Sequence, residues 1–408
     1  MNYSEAFELL KAHSQEHILK FYNELDEKQQ NELLKQIENI DWSIFDILEK
    51  KDKLSGRGVF EPLGALEIDE IQNRETEFRE KGIEALQKEK IAAVLLAGGQ
   101  GTRLGLDKPK GTLNVGVNKT LYLFEAHIKW LLKLKEECGA YVPLYIMTSD
   151  INNKDTVDFF EEHNYFGYDK SHVTFFVQEM APAVDYDGKI YMAEKGKIAL
   201  SPNGNGGWFR SMMRAGLVED MKKKGIEYLT AFSVDNVLQK INDPVFVGAT
   251  VLSGADIGAK VVKKVADREK LGVLCLEDGR PSIVEYYEIT DEMANLRDEK
   301  GQLAYIFGVI LNYMFKLEKL IELMTKEMPL HIVEKKIPYI DENGNQVKPE
   351  EPNGYKFETL ILDMVHLMDS CLSYEVVREK EFAPIKNMTG VDSLESAREL
   401  MKLNNMEF

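Results

Sequence analysis

The strongest constraint on the fold of this chain is a continuous apolar run that ends in a group of glycines. Residues 91–97 are all aliphatic, which is typical of a strand buried on both faces of a sheet. Amphipathic helical patterns separate several of the later strand-length runs. This alternation predicts a mostly parallel sheet with helices on both faces. The later apolar runs lie at 144–147, 173–177, 229–234 and 257–262, and the helical patterns at 120–135, 154–163 and 209–224.

The rest of the chain has different patterns. Residues 1–50 show apolar positions at helical spacing, and a charged helix is expected at about 69–89. Residues 272–289, with Asp278-Gly279-Arg280-Pro281 at their centre, predict an antiparallel hairpin. We therefore predict an α/β chain with a mostly parallel, Rossmann-like sheet. Its predicted parts are a helical N-terminal subdomain (1–85), a catalytic domain (86–375) and a small C-terminal subdomain (376–408).

Charge and cysteine content exclude several classes of protein. The chain carries 51 basic and 69 acidic residues, a net charge of −18, which argues against a nucleic-acid or anionic-membrane surface. Its three cysteines, Cys138, Cys275 and Cys371, are widely spaced and predict neither a disulfide framework nor a zinc site. The N-terminus lacks the pattern of a signal peptide, and no apolar run reaches membrane-spanning length. We expect a cytoplasmic protein with small-molecule partners.

A glycine-rich loop that also carries basic residues follows the first predicted strand. It includes Gly98, Gly99, Arg103 and, after Pro109, Lys110. Glycines let backbone N–H groups approach a phosphate or a base closely, and Arg and Lys add local positive charge. The spacing matches neither the dinucleotide GxGxxG pattern nor a P-loop. A tight strand–helix turn with incidental basic residues is the structural alternative.

Four further features could belong to the same site. Gln178 ends a predicted strand, where its amide could pair with a pyrimidine edge or cap a turn. Asp235 also follows a buried strand, where it could hold Mg²⁺ or begin a helix. A second glycine-rich loop lies at 201–208, and Lys356 and Lys386 each follow a turn. Taken alone, these two lysines would be read as solvated surface residues.

In their order along the chain, these segments resemble the eukaryotic-type UDP-sugar pyrophosphorylase family, and the UDP-N-acetylhexosamine (UDP-N-acetylglucosamine) pyrophosphorylases most closely. The resemblance covers nearly the whole chain after the first 50 or so residues, and it rests on the order of the motifs. The matching segments are 96–105, 145–149, 176–178, 202–207, 234–236, 284–286, 336–341, 352–354, 374–376 and 384–387.

The resemblance implies a nucleotidyltransferase fold and a uridylyltransferase reaction. UTP and a sugar 1-phosphate would give a UDP-sugar and pyrophosphate, with Mg²⁺ held by Asp235. The residues implied to act on the phosphates are Arg103, Lys110 and Lys386 as catalytic groups, together with Lys356. Those implied to bind uridine are Leu96, Ala97, Gly98, Gly99, Gln178 and Gly204. Those implied to face the sugar are Asn205, Glu285, Tyr286, Val309, Leu360 and Leu362.

The sequence departs from the family pattern mainly at the implied sugar pocket. Val309 replaces an asparagine, and Leu360 and Leu362 replace two phenylalanines; Asn203 also stands where an aspartate is usual. Losing a polar partner changes discrimination between ligands, because a sugar hydroxyl or amide is left unpaired. N-acetylglucosamine 1-phosphate is the first candidate substrate, and glucose 1-phosphate and galactose 1-phosphate are the alternatives.

Two readings from other classes stay open at this point. One is a non-catalytic sensor that binds UDP-sugar. The other is a glycosyltransferase, for which Asp185-Tyr186-Asp187 has the form of a DxD metal motif. The glycine that follows, Gly188, favours a hairpin turn at this position instead.

Overall fold

The computed structural model describes residues 1–49, 57–326 and 328–406, which fall into two compact units. The first unit comprises the described residues of Met1–Gly56, Glu179–Gly207 and Met328–Ile361. The second comprises those of Arg57–Gln178, Trp208–Glu327 and Leu362–Phe408. Among the described residues, no helix combines the length and the apolarity needed to cross a bilayer.

The helices and strands are numbered in chain order. The helices are α1 (Tyr3–Ala12), α2 (Glu27–Glu38), α3 (Ser43–Glu49), α4 (Ile68–Asn73), α5 (Glu75–Gln87), α6 (Leu123–Cys138), α7 (Asn153–Glu162), α8 (Trp208–Arg214), α9 (Leu217–Lys224), α10 (Pro244–Ser253), α11 (Asp291–Asn295), α12 (Leu317–Leu323), α13 (Ile361–His366), α14 (Arg378–Glu381) and α15 (Leu394–Leu403). The strands are β1 (Phe60–Pro62), β2 (Ile91–Leu96), β3 (Leu144–Thr148), β4 (Val173–Val177), β5 (Met180–Pro182), β6 (Val184–Asp185), β7 (Met192–Glu194), β8 (Lys197–Ile198), β9 (Leu200–Pro202), β10 (Tyr228–Ser233), β11 (Ile257–Lys263), β12 (Val273–Glu277), β13 (Arg280–Val284), β14 (Phe307–Lys316), β15 (His331–Lys335), β16 (Tyr339–Ile340), β17 (Gln346–Val347), β18 (Gly354–Glu358) and β19 (Cys371–Glu375).

The second unit is built around a ten-stranded sheet. Its main strand order is β1-β12-β14-β10-β2-β3-β4, with β11 pairing β14 and β19, and β13 pairing β12. Strands β10, β2, β3 and β4 run parallel to one another, as do β11 and β19, whereas β14 is antiparallel to both β10 and β11. Every residue of β2 is buried. The predicted α/β fold with a largely parallel sheet is confirmed.

Two local predictions have different outcomes in this unit. The hairpin at 272–289 is confirmed as β12 and β13, joined through Asp278 and Gly279, whose positive φ values of 50° and 78° match a hairpin turn. The helical stretch predicted at 209–224 is confirmed as helical but is divided into two helices, α8 and α9. Gly216 separates the two helices with a φ of 73°, which a right-handed helix cannot accommodate.

The first unit draws its elements from three distant segments. Strand β18 pairs with β15 and β6, and the Gln15 amide donates to the Gly188 carbonyl at 2.9 Å. Leu10, Leu33 and Phe357 meet in one buried cluster. The contiguous boundaries predicted at 1–85, 86–375 and 376–408 therefore differ from this grouping. The physical reason is that segments 179–207 and 328–361 pack with the N-terminal helices.

Candidate active site

The glycine-rich loop after β2 is closed by its own backbone. Ser233 of β10 lies opposite Leu96 of β2, so the two strands end together at one edge of the sheet. Beyond β2, Ala97 donates its N–H to the Met147 carbonyl at 2.9 Å, and the Lys110 N–H returns to the Gly99 carbonyl at 3.3 Å. The loop therefore places Lys110 beside the end of β2.

Gln178 and Gly98 are brought together, as the family resemblance implied. Gln178 directly follows β4, is 7% exposed, and donates its N–H to the Thr148 carbonyl at 2.8 Å. A Cβ atom on Gly98 would lie 2.4 Å from Gln178 Nε2, whereas one on Gly99 would meet nothing within 4 Å. Close contact between the amide and the loop thus requires a glycine at position 98.

Asn152 supports this loop and was missed by the sequence analysis. Its side chain is fully buried, and Nδ2 donates to the carbonyls of Ala97 at 3.0 Å and Gly99 at 3.4 Å. Its Oδ1 accepts the Ser149 N–H at 2.7 Å. Asn152 lies between a strand and a helix, where an asparagine is common, so the sequence carries no signal for this role.

Lys110 and Asp235 form an ion pair at the carboxyl ends of β2 and β10. Lys110 Nζ lies 3.4 Å from Asp235 Oδ2, and both side chains are about one-fifth exposed (17% and 21%). The Ser233 hydroxyl donates to the other carboxylate oxygen, Oδ1. Water can reach the pair, so a phosphate could approach Lys110 and a cation could approach Asp235.

The segment that carries Lys386 is fastened to the backbone around Asp235. The Ile385 N–H donates to the Asp235 carbonyl at 3.0 Å, and Asn236 Oδ1 accepts the Ala383 N–H at 2.9 Å. The Lys386 ammonium itself pairs with Asp392 at 2.9 Å. The structure thus brings the backbone of this segment to Asp235, while the Lys386 side chain is engaged elsewhere.

A buried lysine, Lys260, supports the same segment. Its side chain is fully buried, and Nζ donates to Glu381 Oε2 at 2.6 Å and to the Lys240 carbonyl at 2.9 Å. The Glu381 carbonyl in turn accepts from Asn236 Nδ2 at 2.7 Å. A lysine in the middle of the apolar run 257–262 is a signal that could have been followed, because a buried charge needs a partner.

His127 supports the end of β10 from α6. It is 2% exposed, and its Nε2–H donates to the Val234 carbonyl at 2.9 Å. Burial lowers the pKa of His127 to about 4, so the ring is neutral near pH 7 and cannot act as a cation towards a phosphate.

The residues implied to face the sugar fall into two groups. In the second unit, Val309 N–H donates to the Gly272 carbonyl at 2.9 Å, and a Cβ on Gly272 would lie 3.5 Å from Glu285 Oε2. Val309 and Glu285 therefore lie near one another across Gly272, and burial raises the pKa of the Glu285 carboxyl. Tyr286 is exposed, and Leu362 on α13 is half-buried.

Arg103, another predicted site residue of the second unit, is exposed within the short 3₁₀ turn Thr102–Leu104. Leu96 and Ala97 are buried at the end of β2, so they would offer backbone rather than side-chain groups to a ligand.

The predicted site residues of the first unit lie on the second glycine-rich loop and on β18. Gly204 has a φ of 87°, and a Cβ there would lie 2.2 Å from the Thr359 carbonyl oxygen. Asn205 Oδ1 accepts the Ile361 N–H at 3.0 Å, and the Gly206 N–H donates to Thr359 at 2.8 Å. The segment that contains Leu360 is thereby held against this loop.

Lys356 lies on β18 opposite Val333. It is half-buried, and burial, together with the nearby charge of Lys335, lowers the pKa of the Lys356 ammonium. An anion placed next to Lys356 would favour its charged form again.

The DxD-like motif Asp185-Tyr186-Asp187 is confirmed as a turn. Asp185 Oδ1 accepts the N–H groups of Asp187 at 2.9 Å and Lys189 at 2.8 Å. This carboxylate is used to hold the turn, which disfavours the glycosyltransferase reading.

Comparisons with known proteins bear on these residues as a set. A family model described as UTP–glucose-1-phosphate uridylyltransferase matches residues 22–408. Human UDP-N-acetylhexosamine pyrophosphorylase-like protein 1 is 42% identical over 325 residues, which cover 77% of this chain and 64% of that protein. UDP-N-acetylglucosamine pyrophosphorylase of Saccharomyces cerevisiae is 38% identical over 329 residues, covering 78% of this chain and 69% of that protein.

A solved structure agrees with the family match. The UDP-N-acetylglucosamine pyrophosphorylase of Trypanosoma brucei, crystallised with an inhibitor, has a TM-score of 0.85 at 28% identity, covering 98% of this chain and 84% of that one. The chain spans just under two thirds of the human relative's length. The family model nevertheless matches nearly the entire sequence, and the predicted resemblance is confirmed: the chain belongs to the UTP–glucose-1-phosphate uridylyltransferase family.

Proposed function

We propose that this chain transfers the uridylyl group of UTP to a sugar 1-phosphate and releases pyrophosphate. The observation that carries the proposal is the Lys110–Asp235 pair, 3.4 Å apart at the ends of adjacent parallel strands. The carboxyl ends of such strands are where α/β sheets bind their ligands. The glycine-rich loop beside this ion pair, in which Gly98 lies against Gln178, suits a nucleobase.

The reaction depends on positioning the substrates and on stabilising negative charge in the transition state, rather than on a general base. An anionic oxygen of the sugar phosphate attacks the α-phosphorus of UTP. The bond from that phosphorus to the bridging oxygen of the β-phosphate breaks, and pyrophosphate leaves with the electron pair. Because the nucleophile is already ionised, no proton must be removed. We assign charge stabilisation to Arg103, Lys110 and Lys386, of which Lys386 would have to leave Asp392.

We propose that uridine lies against the first glycine-rich loop. The amide of Gln178 offers a donor and an acceptor, which matches the polar edge of a pyrimidine. The absence of a side chain on Gly98 and Gly99 leaves backbone groups accessible to the base. The corresponding roles of Gly204, Asn205, Lys356 and Leu360 stay predictions.

Asp235 suits Mg²⁺ as a lone carboxylate. Among the described residues there is no group of three or more His, Cys, Asp or Glu side chains arranged to hold a metal. Mg²⁺ usually binds through one or two carboxylates and completes its shell with water and substrate phosphates, so this donor set fits. When bound, the ion would offset negative charge on the α-phosphate and on the departing pyrophosphate.

N-acetylglucosamine 1-phosphate is the substrate that we propose first, and the names of the yeast and Trypanosoma brucei relatives favour it. Glucose 1-phosphate and galactose 1-phosphate are the alternatives, because Val309, Leu360 and Leu362 present aliphatic side chains. We also propose a cytoplasmic location, in keeping with the free thiols of Cys138, Cys275 and Cys371.

The test is pyrophosphate release from UTP and Mg²⁺ with a panel of sugar 1-phosphates at equal concentration. We expect release that stops on chelation of Mg²⁺, is fastest with the N-acetylated sugar, and falls by about 10²–10³-fold in Lys110→Ala. The matched control is Lys108→Ala, two residues away and exposed, which should retain normal turnover. Absence of release with every sugar, from protein that still binds UDP-sugar, would instead support the sensor.

A further inference from the structure

Arg57 bridges two acidic side chains, Glu277 at the end of β12 and Glu288 beyond β13. Its Nε and Nη2 atoms donate to the two carboxylate oxygens of Glu277 at 3.0 and 2.9 Å. Nη1 donates to both oxygens of Glu288 at 3.0 and 3.2 Å. Nη2 also donates to Ser282 Oγ and to the Ile283 carbonyl, both at 3.1 Å. All three nitrogen atoms of this guanidinium therefore donate hydrogen bonds, and their partners belong to the same unit.

Glu288 passes this constraint on to Glu285. Its Oε2 atom accepts the Glu285 N–H at 2.9 Å, and its own N–H donates to the Glu285 carbonyl at 2.8 Å. Residues 285–288 thus form a turn that is closed by two hydrogen bonds, one between backbone groups and one to the Glu288 carboxylate. Because Arg57 holds that carboxylate, it fixes the direction in which Glu285 and Tyr286 leave β13.

Only arginine suits this position. Glu277 is 5% exposed, and Arg57 holds its carboxylate on one side and that of Glu288 on the other, so one guanidinium serves two carboxylates. A planar guanidinium can bridge two carboxylates with fixed geometry. A lysine ammonium is a point charge and cannot form bidentate hydrogen bonds to both carboxylates. Gly58 N–H adds a bond to Glu277 at 2.8 Å and holds the segment of Arg57 in place.

We propose that Arg57 is a positioning residue for sugar recognition. By fixing Glu288, it aims Glu285, which lies near Val309 across Gly272, and the adjacent Tyr286 at the sugar 1-phosphate. The inference rests on the proposed function and adds to it a residue outside every motif that the family resemblance uses. Arg57 acts through Glu288 and would not touch the uridine or the reacting phosphates.

The test separates the Michaelis constants of the two substrates. We compare wild type, Arg57→Lys and Glu288→Ala, measuring KM for the sugar 1-phosphate and for UTP. We expect the sugar 1-phosphate KM to rise about tenfold in both variants while the UTP KM stays within about twofold. Glu288→Ala leaves the Arg57–Glu277 pair in place, so it decides the question if Arg57→Lys does not fold.

Arg74→Lys is the matched control, because Arg74, exposed between α4 and α5, makes a similar two-bond pair with Glu77 at 2.8 and 3.1 Å. It should change neither KM. Equal KM values in wild type and Glu288→Ala, or a rise in the UTP KM as large as that for the sugar, would overturn the positioning role. Wild-type protein that releases no pyrophosphate with any sugar would remove the proposed function, and this inference with it, before any variant is compared.

Discussion

At the scale of single residues, the most demanding position is Lys260. An ammonium ion that is fully buried beside Glu381 at 2.6 Å has lost its hydration, and the ion pair and the Lys240 carbonyl compensate for that loss. Phe246 adds its ring face 5.2 Å from the ammonium. Such a pair contributes little net stability relative to apolar residues, but removing one partner leaves an uncompensated charge.

We therefore expect Lys260→Met to lower the free energy of unfolding by about 3–5 kcal/mol, because the buried Glu381 carboxylate loses the ammonium that compensates its charge. The measurement is urea denaturation at pH 7. Lys240→Met is the control: Lys240 lies 3.7 Å from the other Glu381 oxygen but is one-third exposed, so its loss should cost less than about 1 kcal/mol. Equal losses in the two variants would refute the special position of Lys260, and Lys260→Met combined with Glu381→Leu should recover stability.

At the scale of elements, glycines decide how closely segments approach. On the α5–α10 contact, a Cβ on Gly82 would lie 1.8 Å from the Pro244 carbonyl oxygen, and one on Gly248 would lie 1.7 Å from that of Phe78. The loop after β2 uses the same device at Gly98 but not at Gly99. Gly98 contacts Gln178, whereas a Cβ atom on Gly99 would point into open space.

This difference gives a matched pair of variants. Gly98→Ala should weaken UTP binding about tenfold or more, because the new methyl group must displace the Gln178 amide from its place. Gly99→Ala adds the same atoms to open space and should have a smaller effect. Isothermal titration with UTP in the presence of Mg²⁺ measures both, and unchanged melting temperatures would show that the fold is intact. A Gly98→Ala variant that binds like wild type would separate Gln178 from nucleotide binding.

At the scale of the whole molecule, two buried titratable groups make stability depend on pH. The pKa of His127 is lowered by burial from 6.5 to about 4. Burial alone would raise the pKa of Glu277, but hydrogen bonds from Arg57, Gly58 and Ser282 outweigh it and hold that pKa at about 2 instead of 4.5. Each group binds its proton more readily in the unfolded chain, so each loses its contribution to stability as pH falls.

For His127 the contribution is complete above pH 6.5 and is lost as pH falls from 6.5 to about 4. At pH 5 the loss amounts to about 2 kcal/mol. We expect His127→Gln, which can still donate to the Val234 carbonyl, to show a shallower decline in unfolding free energy between pH 7 and pH 5 than wild type. Denaturant titrations at several pH values measure this difference, and parallel declines would contradict it. The Glu277 contribution is lost lower, between pH 4.5 and about 2.

The sequence alone determined those parts of the molecule that have a local physical signature. Continuous apolar runs identify the central strands because a strand buried on both faces tolerates few polar residues. Asp278-Gly279 fixes the hairpin because both residues tolerate positive φ. The convergence of Gly98, Lys110, Gln178 and Asp235 was also accessible, because parallel strands end at one edge of a sheet.

Tertiary structure alone decided the rest. Which segments share a unit depends on pairings such as β18 with β6, and long-range partners leave no periodic pattern in the chain. The supporting roles of Arg57, His127 and Asn152 were hidden for a related reason. A single polar residue is defined by the groups that surround it after folding, and those groups come from positions up to 231 residues away.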